Sequence, residues 1–340
     1  MQEAFMRTKT TIPDFKGKNI LVTGCAGFIG WKVSQQLLEM NKTVIGVDNI
    51  NDYYDPSLKR WRLKSLNAYP HFRFYKADIG NYKKLKNVFR ENKIDAVINL
   101  AARAGVRASV EDPWVYLDTN TKGTLNLLEC CKDSKVKKFI LASTSSLYAS
   151  LDMPFKETAV TDTPLAPYSA TKKGAEAICY AYHYLYKLDI TVVRYFTVYG
   201  PAGRPDMSIF KFVKSMDAGK PIPVFGDGNQ TRDFTYIDDI ADGTVRALKP
   251  AGYEIINLGS DHPVKLNYVI KLLEKYVGKK AKRNVLKRHP ADVTATWAHI
   301  DKAKKMLGWK PKMPLEQGIE NTVNWFFDNK QFLKSLKWKD

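Results

Sequence analysis

Cysteine is scarce in this chain of 340 residues, with four, and acid is in deficit, with 35 Asp and Glu against 54 Lys and Arg. Cys25, Cys130, Cys131 and Cys179 form no C-x-x-C pair, and the five histidines, at 71, 183, 262, 289 and 299, stand apart. Neither a disulfide framework nor a metal-ligand spacing is present, so no metal is expected. No apolar run approaches the roughly 18 residues that a bilayer crossing needs, which argues against a membrane partner. The opening segment MQEAFMRTKTTIPDF carries Glu3 and Asp14 and lacks the continuous apolar stretch of a secretion signal, so the expected location is cytoplasmic. With only 20 Gly and 16 Pro the chain is no collagen-like repeat, and 44% apolar residues is too much for a disordered one.

The net charge of +19 invites a nucleic-acid reading. The lysines are nevertheless spread along the chain (Lys83, Lys84 and Lys86; Lys137 and Lys138; Lys279, Lys280 and Lys282; Lys302, Lys304 and Lys305), with no basic arm and no RNA-binding motif. No nucleic-acid partner is expected. Such a field also concentrates a small polyanionic ligand.

From residue 18 onward, short apolar runs alternate with helical patterns, as in a βαβ succession with a parallel sheet. The runs are Ile20 to Thr23, Thr43 to Val47, Phe72 to Tyr75, Ala96 to Leu100, Phe139 to Ala142 and Ile190 to Arg194, with helical segments at 28–39, 81–92, 114–133 and 168–187. Beyond Pro201, Gly203 and Pro205 the order becomes irregular, with short strands near 222–225 and 253–258 and a closing helix at 314–328. The expected fold class is α/β: a Rossmann-type doubly wound parallel sheet with a smaller C-terminal α/β substrate lobe. The expected division is 17–200 for the dinucleotide domain and 201–330 mainly for the lobe, with a return to the sheet around 230–260.

Directly after the first run comes Gly24-Cys25-Ala26-Gly27-Phe28-Ile29-Gly30, a G-x-x-G-x-x-G opening a helix. Gly24 permits the tight turn, Gly27 lets the backbone approach a pyrophosphate, and Gly30 allows close helix–strand packing, with the anion at the helix N-terminus. The second run ends at Asp48, about 20 residues on, where a carboxylate hydrogen-bonds an adenosine ribose diol and repels a 2′-phosphate. NAD is therefore expected over NADP. Asp78, after the third run, is placed to meet the adenine.

Tyr168-Ser169-Ala170-Thr171-Lys172 is a Y-x-x-x-K on a predicted helix, with both side chains on one face. A tyrosine near pKa 10 is a poor base at neutral pH, and an adjacent ammonium together with an oxidised nicotinamide stabilises its phenolate. Ser143-Thr144-Ser145-Ser146 ends the fifth run at the carboxyl edge of the sheet, where hydroxyls can orient a substrate alcohol. Tyr82 and Lys86 repeat the spacing but have no hydroxyl cluster upstream.

TGCAGFIG, Asp48, NLAA (99–102), STSS (143–146), YSATK and RYFTVYGP (194–201) together resemble the extended short-chain dehydrogenase/reductases, in their nucleotide-sugar branch. NINDYYDPSLKRWRL (49–63), AGVRASVEDP (104–113), GRPDMSIFKF (203–212) and RDFTYIDDI (232–240) resemble the UDP-glucuronate 4-epimerases more narrowly. The resemblance implies interconversion of UDP-glucuronate and UDP-galacturonate: hydride leaves sugar C4 for NAD⁺, the 4-keto sugar turns, and hydride returns to its other face. It implies that Tyr168 takes the O4 proton, Lys172 tunes Tyr168 and holds the nicotinamide ribose, Thr144 bonds O4 and Ser145 assists. On the cofactor side it implies Phe28, Ile29, Asn49, Lys59, Ile79, Leu100, Ala101, Ala102 and Tyr195 beside the glycines, Asp48 and Asp78. On the substrate side it implies Arg107, Arg232 at the diphosphate and Asp292 at the uridine ribose. It also implies a homodimer joined through helices 114–133 and 168–187 as a four-helix bundle.

A 4-keto-uronate is a β-keto acid and loses CO₂ when its carboxylate bond stands perpendicular to the carbonyl plane. An epimerase must restrain that carboxylate, and Arg204 with Thr197 is expected to grip it through charge-assisted hydrogen bonds. Departures from the family pattern are Asn99, Ala149, Ala291 and His299, where His, Gly, Gly and Asp are usual. The 143–146 cluster lacks the Asp–Glu pair that a 4,6-dehydratase needs as acid and base. A UDP-glucose 4-epimerase, a UDP-glucuronate decarboxylase and a non-catalytic NAD sensor are the competing readings.

Overall fold

Runs such as Lys138 to Thr144, buried at every position, lack the inside–outside alternation of a half-exposed strand, as befits a sheet covered on both faces. The computed structural model describes residue 12 and residues 14–149, 151–287 and 293–338. Its first half runs β1 (Asn19–Thr23), α1 (Phe28–Glu39), β2 (Thr43–Asp48), α2 (Pro56–Leu66), β3 (Phe72–Lys76), α3 (Tyr82–Glu91) and β4 (Ala96–Asn99). The short helices α4 (Ala108–Glu111) and α5 (Pro113–Tyr116) lead through a π-helical turn (Leu117–Lys122) into α6 (Gly123–Asp133). There follow β5 (Lys138–Thr144), α7 (Pro167–Tyr186) and β6 (Asp189–Tyr195).

The second half is more mixed. β7 (Thr197–Tyr199), α8 (Ser208–Asp217), β8 (Ile222–Phe225), β9 (Thr231–Tyr236), α9 (Ile237–Arg246), β10 (Tyr253–Leu258), β11 (Pro263–Lys265) and α10 (Leu266–Val277) precede β12 (Arg283–Leu286), α11 (Asp301–Leu307), α12 (Leu315–Asp328) and α13 (Lys330–Lys334).

Seven strands form one parallel sheet in the order β3-β2-β1-β4-β5-β6-β10, so the strand order reverses between β1 and β4. Open sheets of this kind bind ligands at that switch, beyond the carboxyl ends of the strands. Its fold is the doubly wound α/β arrangement expected. The chain returns to the sheet at β10, after α9 has packed on α1. Two small sheets, β11-β9-β7 and β12-β8, and the helices α8, α10 and α12 share a separate apolar cluster that includes Phe210, Val269, Ile319 and Phe326.

Two helical segments differ from expectation. The sequence pattern reads 114–133 as one helix, but α5, the π turn and α6 divide it, and Asn120 within the π turn bonds both the Arg103 backbone and Thr171. A mid-helix π turn re-aims one residue, and here that residue ties the loop after β4 to α7. α2, which carries no apolar helical period, forms because Asp55 caps it, its side chain accepting from Ser57 N at 2.7 Å, and Pro56 begins it.

Candidate active site

The turn from β1 to α1 is built by close approach. Gly24 has φ +66°, and a Cβ there would lie 2.8 Å from Ala101 N; a Cβ on Gly30 would lie 2.1 Å from Gly24 O. Thr23 Oγ1 accepts from both Leu100 N and Ala101 N at 3.1 Å, drawing the end of β4 against the same turn. α1 begins without a side-chain cap or an acidic residue in its first turn, leaving a field that favours an anion. Asp48 braces the turn, accepting from Ala26 N (3.1 Å) and Ile50 N (2.8 Å). Asn49 donates to Asp78 (2.6 Å), so the expected adenine-side residues meet. These residues fit a dinucleotide, and NAD is the cofactor.

Lys59 lies buried on the inner face of α2, its Nζ donating to Asn51 O and Oδ1, both at 2.9 Å. Burial pushes it down to about 8; Asp48 opposes that shift, while Arg62, Arg103 and Arg204 add to it. Four cations thus gather beside the glycine turn. Ile79 turns its side chain into the core against Gly123, and its carbonyl accepts from Asn126. The Tyr195 ring is not brought to the site. It lies buried in the core, its hydroxyl 2.8 Å from Thr244 of α9.

Pro167 and the Ser169 hydroxyl, which pairs with the Ala166 backbone, start α7 and set Tyr168 and Lys172 one turn apart. Burial holds the half-buried Tyr168 phenol above its ordinary value, with Tyr53 adding to the rise; the Thr144 hydrogen bond and the Arg204 charge pull the other way. The expectation that the Lys172 ammonium lowers the phenol is not met directly. Lys172 Nζ donates instead to Ala142 O at 2.8 Å, and burial pushes it down to about 8 although Glu176 opposes the shift. Within the hydroxyl cluster, Thr144 accepts from Ser146 N at 3.1 Å, and Ser143 turns away to Glu176 (2.5 Å), which also pairs with the buried Arg194. Ser145 begins a short 3₁₀ turn beside them.

On the substrate side, Thr197 and Arg204 line one cavity with Phe28, Tyr199 and Met207, joining the glycine turn to the loop after β7. Arg204 pairs bidentately with Asp206 (Nε–Oδ1 3.0 Å, Nη2–Oδ2 2.5 Å). Although burial works against its charge, Asp206 holds Arg204 above the usual guanidinium range. Arg107 stacks on Phe225 at 3.8 Å, and Arg232 donates to the carbonyls of Thr231 and Val293, both at 2.8 Å. Asp292 and Ala291 lie outside the described residues.

The sequence pattern of the GDP-mannose 4,6 dehydratase family matches residues 21–322. The chain belongs to this family. It is 60% identical to the UDP-glucuronate 4-epimerase of Thermodesulfobacterium geofontis, over 93% of this chain and 98% of that protein. The crystal structure of UDP-glucuronic acid 4-epimerase from Bacillus cereus in complex with UDP-glucuronic acid and NAD is similar, with a TM-score of 0.87 and 41% identity over 91% of this chain and 99% of that one. A UDP-glucose 4-epimerase from Thermotoga maritima with UDP-glucose gives a TM-score of 0.85 at 33% identity, over 92% and 99%.

This member of the GDP-mannose 4,6 dehydratase family has site neighbours that sequence reasoning missed. Tyr116 sets its ring edge-on to Tyr168 at 6.1 Å, and Tyr53 lies between the guanidinium groups of Arg103 and Arg204, each 5.5 Å from its ring. Asn120 and Asp206 were equally unmarked. The DYY and RPD segments contained Tyr53 and Asp206, yet only the folded chain shows what they face. Of the departures, Asn99 is a core residue, accepting from Thr23 and donating to Thr124, and His299 lies near Asp301 (3.3 Å) beyond the sheet.

Proposed function

We propose that the chain interconverts UDP-glucuronate and UDP-galacturonate, as an NAD-dependent 4-epimerase. The observation that carries this reading is a cation in the site: Arg204 lines, with Thr197, the cavity beside the start of α1, and its guanidinium lies 5.5 Å from the Tyr53 ring. A neutral hexose needs no such cation, whereas a uronate does. The 60% identity to a UDP-glucuronate 4-epimerase supports the same substrate.

NAD⁺, when bound, supplies the acceptor and later the donor of hydride at sugar C4, and a positive charge that draws the Tyr168 phenol toward phenolate. The chain's own groups do the rest. Gly24, Gly27 and Gly30 with the start of α1 hold the pyrophosphate, Asp48 holds the adenosine ribose, and Asn49 and Asp78 flank the adenine. Lys172 orients the nicotinamide ribose. Thr144 hydrogen-bonds O4 and Tyr168 together, so the proton passes from O4 to the Tyr168 oxygen when the ketone forms and back when it is reduced on its opposite face. Arg232 and Arg107 attend the UDP end, and Ser145 assists at the sugar. Arg204 and Thr197 hold the carboxylate with its C5–C6 bond near the carbonyl plane, so the electron pair of that bond does not flow into the ketone.

The same proposal includes a homodimer and a cytoplasmic location. Large apolar side chains stand exposed on the two segments that resemblance assigns to pairing: Trp114 (74%), Leu117 and Leu125 on one, Tyr180, Tyr184 and Leu185 on the other. Among the described residues no helix is long and apolar enough to cross a membrane.

The test is incubation of the purified protein with UDP-glucuronate and NAD⁺, followed by proton NMR and mass. An isomer of unchanged mass with inverted C4 is expected. Loss of CO₂ as the main course would make the protein a decarboxylase, turnover of UDP-glucose alone would remove the carboxylate from the reading, and inertness to both would leave a dinucleotide sensor.

A further inference from the structure

Arg62 is wholly buried on α2, and among the described residues every acceptor it reaches is neutral. Nη1 donates to Ala26 O at 3.0 Å and to the Tyr54 hydroxyl at 2.7 Å; Nη2 donates to Ala202 O at 2.7 Å and Gly203 O at 3.2 Å. Among the described residues Nε has no hydrogen-bond partner. A buried guanidinium without a carboxylate is costly, and a fold tolerates one where its geometry or charge is used.

The two ends of this fork lie in the two halves of the site. Ala26 belongs to the glycine turn, and its N–H is the one that Asp48 accepts. Ala202 and Gly203 immediately precede Arg204. Ala202 has φ +55°, a left-handed conformation that costs a residue with a Cβ, so the turn benefits from an external hold. Arg62 supplies a two-carbonyl grip at that point, 140 residues along the chain from its own position. A planar fork with fixed N–H directions transmits a shift at one end to the other, as a flexible lysine does not.

We propose that Arg62 is a positioning residue that clamps the glycine turn to the 200–204 turn, so that the angle at which Arg204 meets the sugar carboxylate is set from the cofactor loop. The inference rests on the reading of Arg204 as the carboxylate grip.

The test compares wild type with R62K, which keeps the charge and loses the fork, R62M, which loses both, and Y54F, which removes one acceptor and leaves Arg62 in place. Calorimetry on the NAD-loaded proteins gives the preference for UDP-glucuronate over UDP-glucose as a ratio of dissociation constants, and product analysis gives CO₂ released per epimerisation. Both are ratios that a smaller folded fraction does not move. For R62K and R62M the binding preference is expected to fall at least tenfold and the CO₂ ratio to rise at least tenfold, with R62M also binding NAD⁺ more weakly in direct titration. Y54F is expected to move both ratios in the same direction by a smaller factor, and it decides the matter if neither Arg62 variant folds. Ratios within twofold of wild type in the folded variants overturn the inference, as does weaker NAD⁺ binding with both ratios unchanged, which would leave Arg62 a local prop of the glycine turn. A wild-type protein without preference for the uronate would instead overturn the reading of Arg204, and the inference with it.

Discussion

At the scale of single residues, the site is defined by what burial does to charge. Lys172 and Lys59 are each pushed down to about 8 from an ordinary 10.5, burial being the first cause in both. Below that pH both are ammonium ions able to hold the cofactor; above it they become neutral, so the favourable charge is lost as pH rises. NAD⁺ affinity and kcat/KM, both reporting the free enzyme, are therefore expected to fall as pH rises through about 8, where an unperturbed lysine would hold to above pH 10. Titration of NAD⁺ across that range checks it, and a flat profile up to pH 10 would contradict it. Arg204→Ala removes the charge facing the carboxylate. A charge-assisted hydrogen bond contributes about 1.5–3 kcal/mol, so KM for UDP-glucuronate is expected to rise roughly 10- to 100-fold. CO₂ release per turnover should rise with it, measured by coupled mass analysis; unchanged values of both would remove the assignment.

At the scale of elements, the β1–α1 turn leaves no space for a side chain. A Cβ on Gly30 would meet Gly24 O at 2.1 Å, so Gly30→Ala must push helix from strand. Overpacking of this sort costs about 1–3 kcal/mol, and here the strain falls on the pyrophosphate cradle. Calorimetry is expected to show NAD⁺ binding weakened by at least tenfold together with a lowered Tm; a lowered Tm with native NAD⁺ affinity would separate the glycine from the cofactor. Legibility at this scale follows locality. Tyr168 and Lys172 could be paired from the sequence because i to i+4 neighbours share a helix face, and the glycine run because its spacing maps onto one turn. α2 escaped because its inward positions include Lys59 and Arg62, which interrupt the apolar period where the site uses cations. The π turn at 117–122 escaped because one extra residue per turn leaves little trace in an apolar pattern.

At the scale of the whole molecule, two faces carry the proposal. One is the carboxyl edge of the sheet, where β7 and the loop after it lay Thr197 and Arg204 across the end of α1. The other is the surface of α5–α6 and α7, on which Trp114, Leu125, Tyr180 and Tyr184 stand exposed, as apolar side chains gathered at a contact surface do. Trp114→Asp places a charge on that face. Light scattering is expected to give twice the chain mass for wild type and the chain mass for the variant; a monomeric wild type would end the dimer reading. Tyr195 shows the converse limit: a residue in a motif that resembles a cofactor contact turns its ring toward α9, because β6 is covered on that side by the helix that precedes β10.

By itself the sequence determined the parallel α/β fold, the dinucleotide cradle and the Tyr–Lys face, because each depends on contacts within a turn or a helix and on an apolar period. Only the tertiary structure decided that Arg204 pairs with Asp206 beside the Tyr53 ring, that Lys172 faces the Ala142 carbonyl, and that Arg62 joins the two turns. Those depend on which side chains are withdrawn from water together, and burial and long-range electrostatics are properties of the folded molecule rather than of any segment of it.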